Sequence, residues 1–533
     1  VNSNGKADKP VLSAGGELTL KAANIVQNGV LTAPFGRINL LGSDSVTLAS
    51  GSTTSVSGSG QNIPFGITTT GGEVYNPING ATRPLVEKTV NIESANVDLQ
   101  QNAVLNLSSG GDMFAYEWVP GLGGSIDVLA QPNTYAVIPT MQGEYTPTDL
   151  AYTGSSAGVG IGQSVYLTGV PGLASGTYTL LPARYALVPG AFVVQMQSTP
   201  AVIGNVIKQQ DGSTLTTGYL ADMTTGARDA NWSTFRVLDG AVFRPAEGAV
   251  SKAPSQYILT SADTFFNNPL KTEGLVVSTP SDVAKLSLSA NQLALNASVI
   301  ANTVANGTGL EVDISSNNIR VVNSQDNSND GSLQLTVASL NALNAESVLL
   351  GGTRSLVDGV SNVTTVAENV TIENDSSQIL RTTEFIATAN QQVVVQENAS
   401  IDTGVTSVKP GDKILKASGE GALLALSSKN NITYSRAGGS STATQGELIV
   451  ESGSTLQAGN SAVLDATKNV NLDGAVTLSD GSTVTLGANR ILIGDAPQNI
   501  AGLNVNAASL AALGQLKSLA LNSYSNIDTF GAV

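Results

Sequence analysis

The chain has 533 residues, of which 12% are charged and 41% are hydrophobic, and its formal net charge is −16. It contains no cysteine and no histidine, which excludes disulfides, zinc sites of the Cys/His type and any Ser-His-Asp triad. No Lys/Arg cluster is available to neutralise a row of phosphates, so we expect no nucleic-acid partner. No run of about 18 apolar residues occurs either, so we expect no membrane-spanning helix.

Short stretches of alternating apolar and polar residues begin near the amino terminus. Gly16-Glu17-Leu18-Thr19-Leu20 recurs with the same pattern as Gly36-Arg37-Ile38-Asn39-Leu40. Apolar residues at alternate positions predict a short strand with one inward face. A recurrence of about 20 residues is typical of one coil of a parallel β-helix, in which each coil contributes three short strands. We therefore predict that residues 1–110 form the first part of such a solenoid.

Residues 111–270 differ in composition from the rest of the chain. The segment 114–266 holds 17 of the 24 aromatic residues, including Trp118 and Trp232, and it contains several Pro-Gly turns. The narrow interior of a β-helix suits aliphatic side chains, so a dense group of aromatic rings implies a thicker core. We predict an inserted, antiparallel, aromatic-rich β domain over residues 111–270.

Some of these aromatic side chains are candidates for a binding surface. Tyrosine and tryptophan offer a flat apolar face and a polar edge, which can stack on a sugar ring or anchor a protein partner. The alternative is that most of the rings belong to the core. The candidate ligand-binding residues are Tyr145, Tyr152, Tyr178, Tyr185 and Trp232.

The repetitive pattern resumes over residues 283–301 and is clearest in residues 446–494. Four apolar pairs at i and i+2 follow one another at nearly even spacing, which predicts four short strands and a coil of about 21 residues. An antiparallel sandwich is the alternative, but it would show longer strands joined by two-residue hairpins. We predict that residues 271–533 continue the β-helix, so the fold is all-β. The four pairs are Val470/Leu472, Val476/Leu478, Val484/Leu486 and Ile491/Ile493.

Several stretches resemble the filamentous haemagglutinin-like exoproteins of two-partner secretion, which are large surface adhesins of Gram-negative bacteria. They are GVLTAPFGRINLLGSDSVTLASGS (29–52), SSGGDMFAYEWVPGLGGSIDVLA (108–130), VYLTGVPGLASGTYTLLPARYALVPGAF (165–192) and the terminal third of the chain. The resemblance implies a long right-handed parallel β-helix that an outer-membrane barrel exports. The Asn-Pro-Asn-Gly-Ile type motif of the family's secretion domain has no match, so we expect an interior piece of a longer shaft.

An enzyme is the main alternative, because parallel β-helices also carry polysaccharide lyases and glycosidases. Such sites need two carboxylates, or acids beside a basic residue. Glu117 and Asp127 flank the glycine-rich turn 120–124, and Asp112 precedes them. We interpret these three as turn acids rather than catalytic residues. A groove with clustered acids and Lys or Arg would favour the enzyme. A shaft with no surface feature other than the inserted domain would favour a structural role.

A partial calcium-loop pattern occurs at Asp326, Ser328 and Asp330, which alternate before Gly331. The acid expected at the twelfth position of such a loop is Val337, so half of the ligand set is missing. A turn in which the side chains satisfy their own backbone explains the pattern better. We therefore predict no metal site and no cofactor.

Together these observations predict a non-enzymatic shaft of a large adhesin, secreted or held at the surface of a Gram-negative bacterium. Its role would be adhesion, surface coating or display of a distal domain. The expected partners are the outer-membrane transporter barrel during export, a glycan or a host or neighbouring cell surface, and further copies of the chain. The alternative function is a polysaccharide-active enzyme, a lyase or glycoside hydrolase, on the same fold.

Overall fold

The computed structural model of the chain describes residues 1–2, 11–69, 71–76, 81–143, 159–244, 253–272, 277–326, 330–404, 411–497 and 499–531. Strands account for 52% of the described residues and helices for 7%. The prediction of an all-β protein is confirmed. The described residues form one long sheet with narrower sheets beside it, together with a separate antiparallel sheet.

The long sheet contains strands from both ends of the chain. Within the described ranges it has eleven strands, and neighbours in space follow the order of the sequence. In that order the strands are Glu17–Gln27, Arg37–Leu48, Thr89–Leu99, Lys285–Leu295, Glu311–Ser315, Ser347–Leu350, Glu384–Ala389, Ala422–Ser427, Ser461–Ala466, Ser482–Ala488 and Leu516–Ser523.

Most neighbours in the long sheet run parallel, and their register follows the sequence recurrence near the amino terminus. Leu18 lies opposite Ile38 and Leu20 opposite Leu40, so equivalent positions of the two similar stretches face each other. The sheet is nevertheless mixed, because Ala422–Ser427 runs antiparallel to the strands on both sides of it.

The spacing between paired strands is not constant along the sheets, which corrects the expectation of a uniform coil. Arg37 lies opposite Thr89, and Gln392 lies opposite Glu447. Both steps are more than twice as long as the step from Glu17 to Arg37, and each contains strands that belong to other sheets. The parallel register is therefore kept although the number of residues between paired strands varies widely.

Three narrow sheets accompany the long sheet on its inner side, and all their pairs are parallel. A three-stranded parallel sheet follows near the carboxyl end. The first narrow sheet contains Val30–Thr32, Thr53–Ser55, Val104–Asn106 and Ser298–Ile300, and the second contains Leu333–Thr336, Asn318–Val322, Asn369–Ile372, Gln392–Val395, Glu447–Val450 and Asn469–Leu472. The third contains Leu380–Arg381, Ser400–Asp402, Thr455–Ala458 and Ala475–Leu478. The three-stranded sheet near the carboxyl end contains Leu503–Val505, Ile491–Gly494 and Ile527–Phe530.

Aliphatic side chains fill the space between the long sheet and the narrow sheets. Leu40, Ile92, Leu288, Ile314 and Leu350 lie opposite one another on five consecutive strands, and all five are fully buried. Parallel strands lie about 4.8 Å apart, so the residues of such a column are in direct contact. No single strand buries these side chains alone, and the paired strands on either side complete the core.

A second layer, which we call the covering sheet, lies on the outer face of the long sheet. Its apolar residues Val363, Leu415 and Ile432 share a core with Leu349 and Ile386 of the long sheet. This part of the long sheet is therefore buried on both faces. The covering sheet consists of Gly352–Val357, Val360–Thr365, Gly411–Ser418 and Asn430–Ala437.

The aromatic-rich part of the chain contains an antiparallel sheet, which we call the aromatic sheet. Its core contains Val165, Tyr178, Phe192 and Phe235. It is joined to the rest by a four-stranded sheet of Gln256–Ser261, Asp112–Val119, Asn62–Thr69 and Val74–Tyr75. The aromatic sheet comprises Gly176–Thr179, Gln163–Leu167, Thr214–Asp222, Ser233–Asp239, Phe192–Pro200, Thr134–Val137 and Leu181–Pro182, with Ile207–Lys208 beside Thr214–Asp222.

Helices in the described residues are short. None of them is both long and apolar enough to cross a membrane. They are the α-helices Ala262–Phe266, Pro269–Thr272, Val337–Ala342 and Ala507–Ala512, and the 3₁₀ helices Val128–Ala130, Ala183–Leu187 and Gly240–Phe243.

The turns between strands stack in the same way as the strands. Gly51 and Asn102 lie at equivalent positions after two paired strands of the long sheet, and the amide of Gly51 donates to the carbonyl of Asn102 at 3.1 Å. Both residues have positive φ, 84° and 66°. Glycine and asparagine adopt this left-handed conformation at least cost, which explains their place in this turn.

Candidate functional site

The structure places the five aromatic residues that the sequence predicts as ligand-binding candidates in different environments. Tyr145 and Tyr152 lie outside the described residues. Tyr178 and Tyr185 are buried, and their hydroxyls donate to the carbonyls of Ala174 at 2.7 Å and Leu12 at 3.1 Å. Both rings are packed inside the protein and present no face to a ligand.

Trp232 is half-buried and belongs to a group of three rings at the surface of the aromatic sheet. Tyr166 and Tyr219 face each other across two antiparallel strands and stack with ring centroids 5.0 Å apart and planes 11° apart. Trp232 stands perpendicular to both, with centroids 5.9 Å from Tyr166 and 5.3 Å from Tyr219. We call Tyr166, Tyr219 and Trp232 the aromatic platform.

A polar cleft adjoins the aromatic platform. Arg228 lies over the Tyr219 ring, with its Cζ 5.1 Å from the ring centroid. The same arginine lines a cleft of about 320 Å³ together with Gln163, Asp222 and Asp229. Flat apolar ring surface therefore lies next to charged and amide side chains, a combination that suits a ligand with both apolar and hydroxyl-bearing faces.

A second candidate is a charged groove of about 440 Å³ that runs along one end of the long sheet and the covering sheet. Its lining includes clustered acids and bases from strands far apart in the sequence. The charged residues of the groove are Glu87, Lys88, Asp282, Lys285, Glu311, Glu346, Arg354, Asp412, Lys413 and Lys429.

Most charges of this groove are already paired within the protein. Lys285 Nζ lies 2.8 Å from the fully buried carboxylate of Asp313, which also accepts a hydrogen bond from Arg354 Nε at 2.6 Å. Lys413 pairs with Glu384. Lys429 pairs with Glu346 in the same way. The contacts of Arg354 with Asp313 and of Lys413 with Glu384 connect the covering sheet to the long sheet. Together the pairs leave few free charges for a ligand among the described residues of the groove.

Glu87 and Lys88 line the groove and have pKa values that burial shifts. Burial raises the pKa of Glu87, whose carboxylate makes no hydrogen bond or ion pair within the described part of the chain. Burial also lowers the pKa of Lys88 to about 8, although Asp282 and Asp263 oppose this. The Lys88 amine donates to the carbonyls of Pro280 at 3.0 Å and Asp282.

The acids that the sequence offered as an alternative catalytic set have structural partners. Glu117 accepts a hydrogen bond from the amide of Gly71 at 3.1 Å. Asp127 caps a 3₁₀ helix and accepts from the hydroxyl of Tyr257. Asp112 accepts from the amide of Met113 at 2.7 Å, and burial raises its pKa. Only Asp127 lies in a turn, as the cap of its 3₁₀ helix. Asp112 and Glu117 belong to the strand Asp112–Val119, so their interpretation as turn acids is wrong.

The partial calcium-loop pattern is organised around an arginine. Asp326 and Asp330 both contact Arg320, at 3.1 and 3.3 Å, and Asp330 also accepts from the amide of Ser332 at 2.9 Å. Ser328 lies outside the described residues. Within the described residues, no three acidic side chains converge in a way that could hold a metal ion.

The sequence reasoning missed Tyr166, Tyr219 and Arg228. Their meeting depends on the pairing of Gln163–Leu167 with Thr214–Asp222, which no local pattern reveals. The only available signal was that both tyrosines alternate with apolar residues in strand-like stretches, VYL and GYL. No protein-family model, curated protein or solved structure matches this chain.

Proposed function

We propose that the chain is a non-enzymatic shaft of a secreted or cell-surface protein, which binds a glycan through the aromatic platform. In this proposal the stacked strands form a parallel β-helix solenoid, and residues 111–270 form a β domain inserted into it. The resemblance to filamentous haemagglutinin-like exoproteins supports export through an outer-membrane barrel of a Gram-negative bacterium. It also supports adhesion, surface coating or display of a distal domain.

The stacked architecture supports the shaft. Each fully buried aliphatic column, such as Leu40, Ile92 and Leu288, repeats the same contact from coil to coil. Such a stack grows in one direction as coils are added, since each coil contacts only its neighbours. The paired charges of the groove are compatible with a scaffold, because buried ions need partners whether or not a site is present.

The observation that carries the binding function is the aromatic platform beside its polar cleft. Three half-buried rings from three different strands or turns meet at the surface, and an arginine covers one of them. Aromatic rings contribute about 0.5–1.5 kcal/mol beyond the area that they bury. A sugar unit stacked on Trp232 could at the same time hydrogen-bond to Arg228 or Asp229.

A glycan-array experiment with the purified chain tests this proposal. We expect binding to one or more glycans, and a roughly tenfold loss of affinity in Trp232→Ala because the stacking surface is removed. Phe530→Ala is a matched control, because it removes a half-buried ring from a different sheet. Absence of binding to any glycan, or equal loss in both variants, would contradict the proposal.

A polysaccharide-active enzyme remains the second candidate, and the charged groove favours it. Glu87, with its raised pKa, has the character of a general acid. The carboxylate of Glu311 also lines the groove, and an acid pair is what glycoside hydrolysis needs. Release of reducing ends from a polysaccharide panel, abolished by Glu87→Gln and unaffected by Glu117→Gln, would replace the first proposal with this one.

A further inference from the structure

Three side chains meet where the covering sheet lies on the long sheet: Lys413, Asn430 and Glu384. Strands Gly411–Ser418 and Asn430–Ala437 run parallel, with Gly411 opposite Asn430. Lys413 is therefore a diagonal neighbour of Asn430, and both side chains point toward the long sheet. A diagonal separation of about 7–8 Å is within reach of a long side chain.

Glu384 lies beneath the other two on the long sheet and is 1% exposed. Its Oε1 accepts a hydrogen bond from Lys413 Nζ, and its Oε2 accepts one from Asn430 Nδ2 at 3.2 Å. A single carboxylate thus bridges an amine and the nitrogen of a carboxamide. Ser347 Oγ donates to Oε1 at 2.8 Å and fixes the orientation of the carboxylate.

We propose that Lys413 and Asn430 join in an intramolecular isopeptide bond, with Glu384 carrying the proton. Glu384 takes a proton from the Lys413 ammonium, and the neutral Nζ attacks Cγ of Asn430. The new Nζ–Cγ bond forms, and the Cγ–Nδ2 bond breaks. Glu384 passes this first proton to Nδ2, which leaves as ammonia. It then takes the second proton from Nζ and releases it to the departing ammonia as ammonium, so that Nζ ends as a neutral amide N–H and Glu384 as a carboxylate. The reaction exchanges one amide for another and needs no oxidant, metal or cofactor.

The surroundings of Glu384 keep its carboxylate ionised, which is the form that can accept a proton from the Lys413 ammonium. Burial raises the pKa of Glu384, but the charges of Lys413 and Arg354 outweigh it and lower the pKa to about 2. The carboxylate is therefore ionised before the reaction and holds the lysine proton only during transfer. Lys413 and Asn430 also line the charged groove, so ammonia has a path to solvent.

The chain contains an internal comparison for this proposal. Lys429 makes a similar contact with a carboxylate, that of Glu346, and the pair is partly exposed. The other Glu346 oxygen accepts from the backbone amide of Gly309 at 3.2 Å rather than from a carboxamide side chain. Lys429 therefore has the base but not the acceptor, and we expect it to remain a free amine.

The bond would change what holds the covering sheet in place. The chain between Lys413 and Asn430 includes Ala422–Ser427, a central strand of the long sheet. Linking the two ends of this segment closes a covalent ring through both layers. The two covering strands could then separate from each other only by breaking a covalent bond.

Intact-mass spectrometry of the purified full chain tests the proposal. We expect a mass lower by one ammonia than the sequence mass, and proteolysis should release a branched peptide that joins Lys413 to Asn430. Lys413→Arg and Glu384→Gln should restore the full mass expected from their sequences. Lys429→Arg is the matched control and should keep the deficit.

The result from the unsubstituted chain decides the question even if a variant fails to fold. A mass equal to that of the sequence would overturn the proposal. Loss of ammonia with Lys413 still open to an amine-reactive reagent would also overturn it, because that pattern indicates a succinimide at Asn430.

Discussion

The stacked strands and the aromatic sheet place their charged pairs in different environments. In the stack, Asp465 is fully buried and accepts from Tyr434 at 2.7 Å, Tyr524 at 2.6 Å and Arg436 at 2.7 Å. In the aromatic sheet, the pair of Asp211 and Arg236 is at the surface, with side chains 45% and 32% exposed. Covering the outer face of a sheet buries charges that an open face leaves in water.

The two regions also differ in how they fill their cores. The stack repeats one layer of aliphatic side chains from strand to strand, whereas the aromatic sheet packs Tyr178, Phe192 and Phe235 into a separate core on one of its faces. The aromatic platform accordingly lies at the surface of the aromatic sheet and not on the stack.

The largest expected effect concerns the buried charges. Asp465→Asn should lower the free energy of unfolding by about 3–5 kcal/mol, because it leaves Arg436 buried without a counter-charge. Asp211→Asn, at the exposed pair, should cost less than about 1 kcal/mol. Urea unfolding followed by circular dichroism measures both. Similar losses in the two variants would remove the contrast between the regions.

A core substitution comes next. Leu288→Ala removes a fully buried member of an aliphatic column and should cost about 3 kcal/mol through lost contacts and the cavity left behind. Circular dichroism reports mainly on the stack, whereas Trp118 and Trp232, the only two tryptophans, report on residues 111–270. We expect a larger shift in the dichroism transition than in tryptophan fluorescence.

The control for this substitution is Leu356→Ala, at a side chain that is 46% exposed, which should change stability by less than about 0.5 kcal/mol. Equal shifts of both signals in Leu288→Ala would mean that the stack and the aromatic sheet unfold as one cooperative unit.

Lys88 gives a pH-dependent effect that belongs to the stack. Its pKa is lowered to about 8 in the folded chain, so the unfolded state binds more protons between about pH 8 and pH 10.5. The contribution of this residue to stability therefore rises with pH across that window, by up to about 3 kcal/mol. Below pH 8 both states hold the proton and the contribution is constant.

The measurement is the difference in unfolding free energy between the original chain and Lys88→Met, which cancels the ionisation of other groups. That difference should rise from pH 8 to pH 10.5. A flat difference would show that the Lys88 amine is not desolvated in the folded protein.

The smallest expected effect concerns the stacked turns. Asn102→Ala should cost about 1 kcal/mol, because alanine adopts a positive φ less readily than asparagine. Asn102→Gly should be nearly neutral, and the adjacent exposed Gln101→Ala serves as the control. Thermal unfolding can resolve the three variants. A cost for Gln101→Ala equal to that for Asn102→Ala would argue against a backbone origin.

Local pattern was enough to predict the strands but not the layers around them. The apolar pairs Val470/Leu472 and Val476/Leu478 lie in short strands, as alternation indicates. Asp313, by contrast, alternates with Val312 and Ile314 in a way that predicts a solvent-facing position. It is buried because Arg354, a residue far along the chain, comes over it from the covering sheet.

The candidate site was predicted less well than the strands, for a related reason. Composition located the aromatic region and nominated Trp232, but the rings that meet there come from paired strands whose register the sequence does not reveal. Tyr178 and Tyr185 are chemically equivalent to Tyr166 and Tyr219, and only the direction in which each side chain points distinguishes core from surface.

The pairing of Thr89 with Lys285 has a consequence for the order of folding. These two strands of the long sheet are adjacent in space, although the whole inserted region separates them in sequence. Closing so long a flexible loop costs about 2 kcal/mol more than closing the short step between Glu17 and Arg37. Long-range parallel pairing of this kind is also slow.

The strands at the entrance and exit of the inserted region reduce this cost. Asp112–Val119 and Gln256–Ser261 pair antiparallel, with Val119 opposite Gln256, so they bring the two ends of the region together. Once this pair has formed, Thr89 and Lys285 are separated by two short connections instead of one long loop. We therefore expect residues 112–261 to fold before the long sheet is completed, so that the inserted region acts as the nucleus that allows the stack to continue past it.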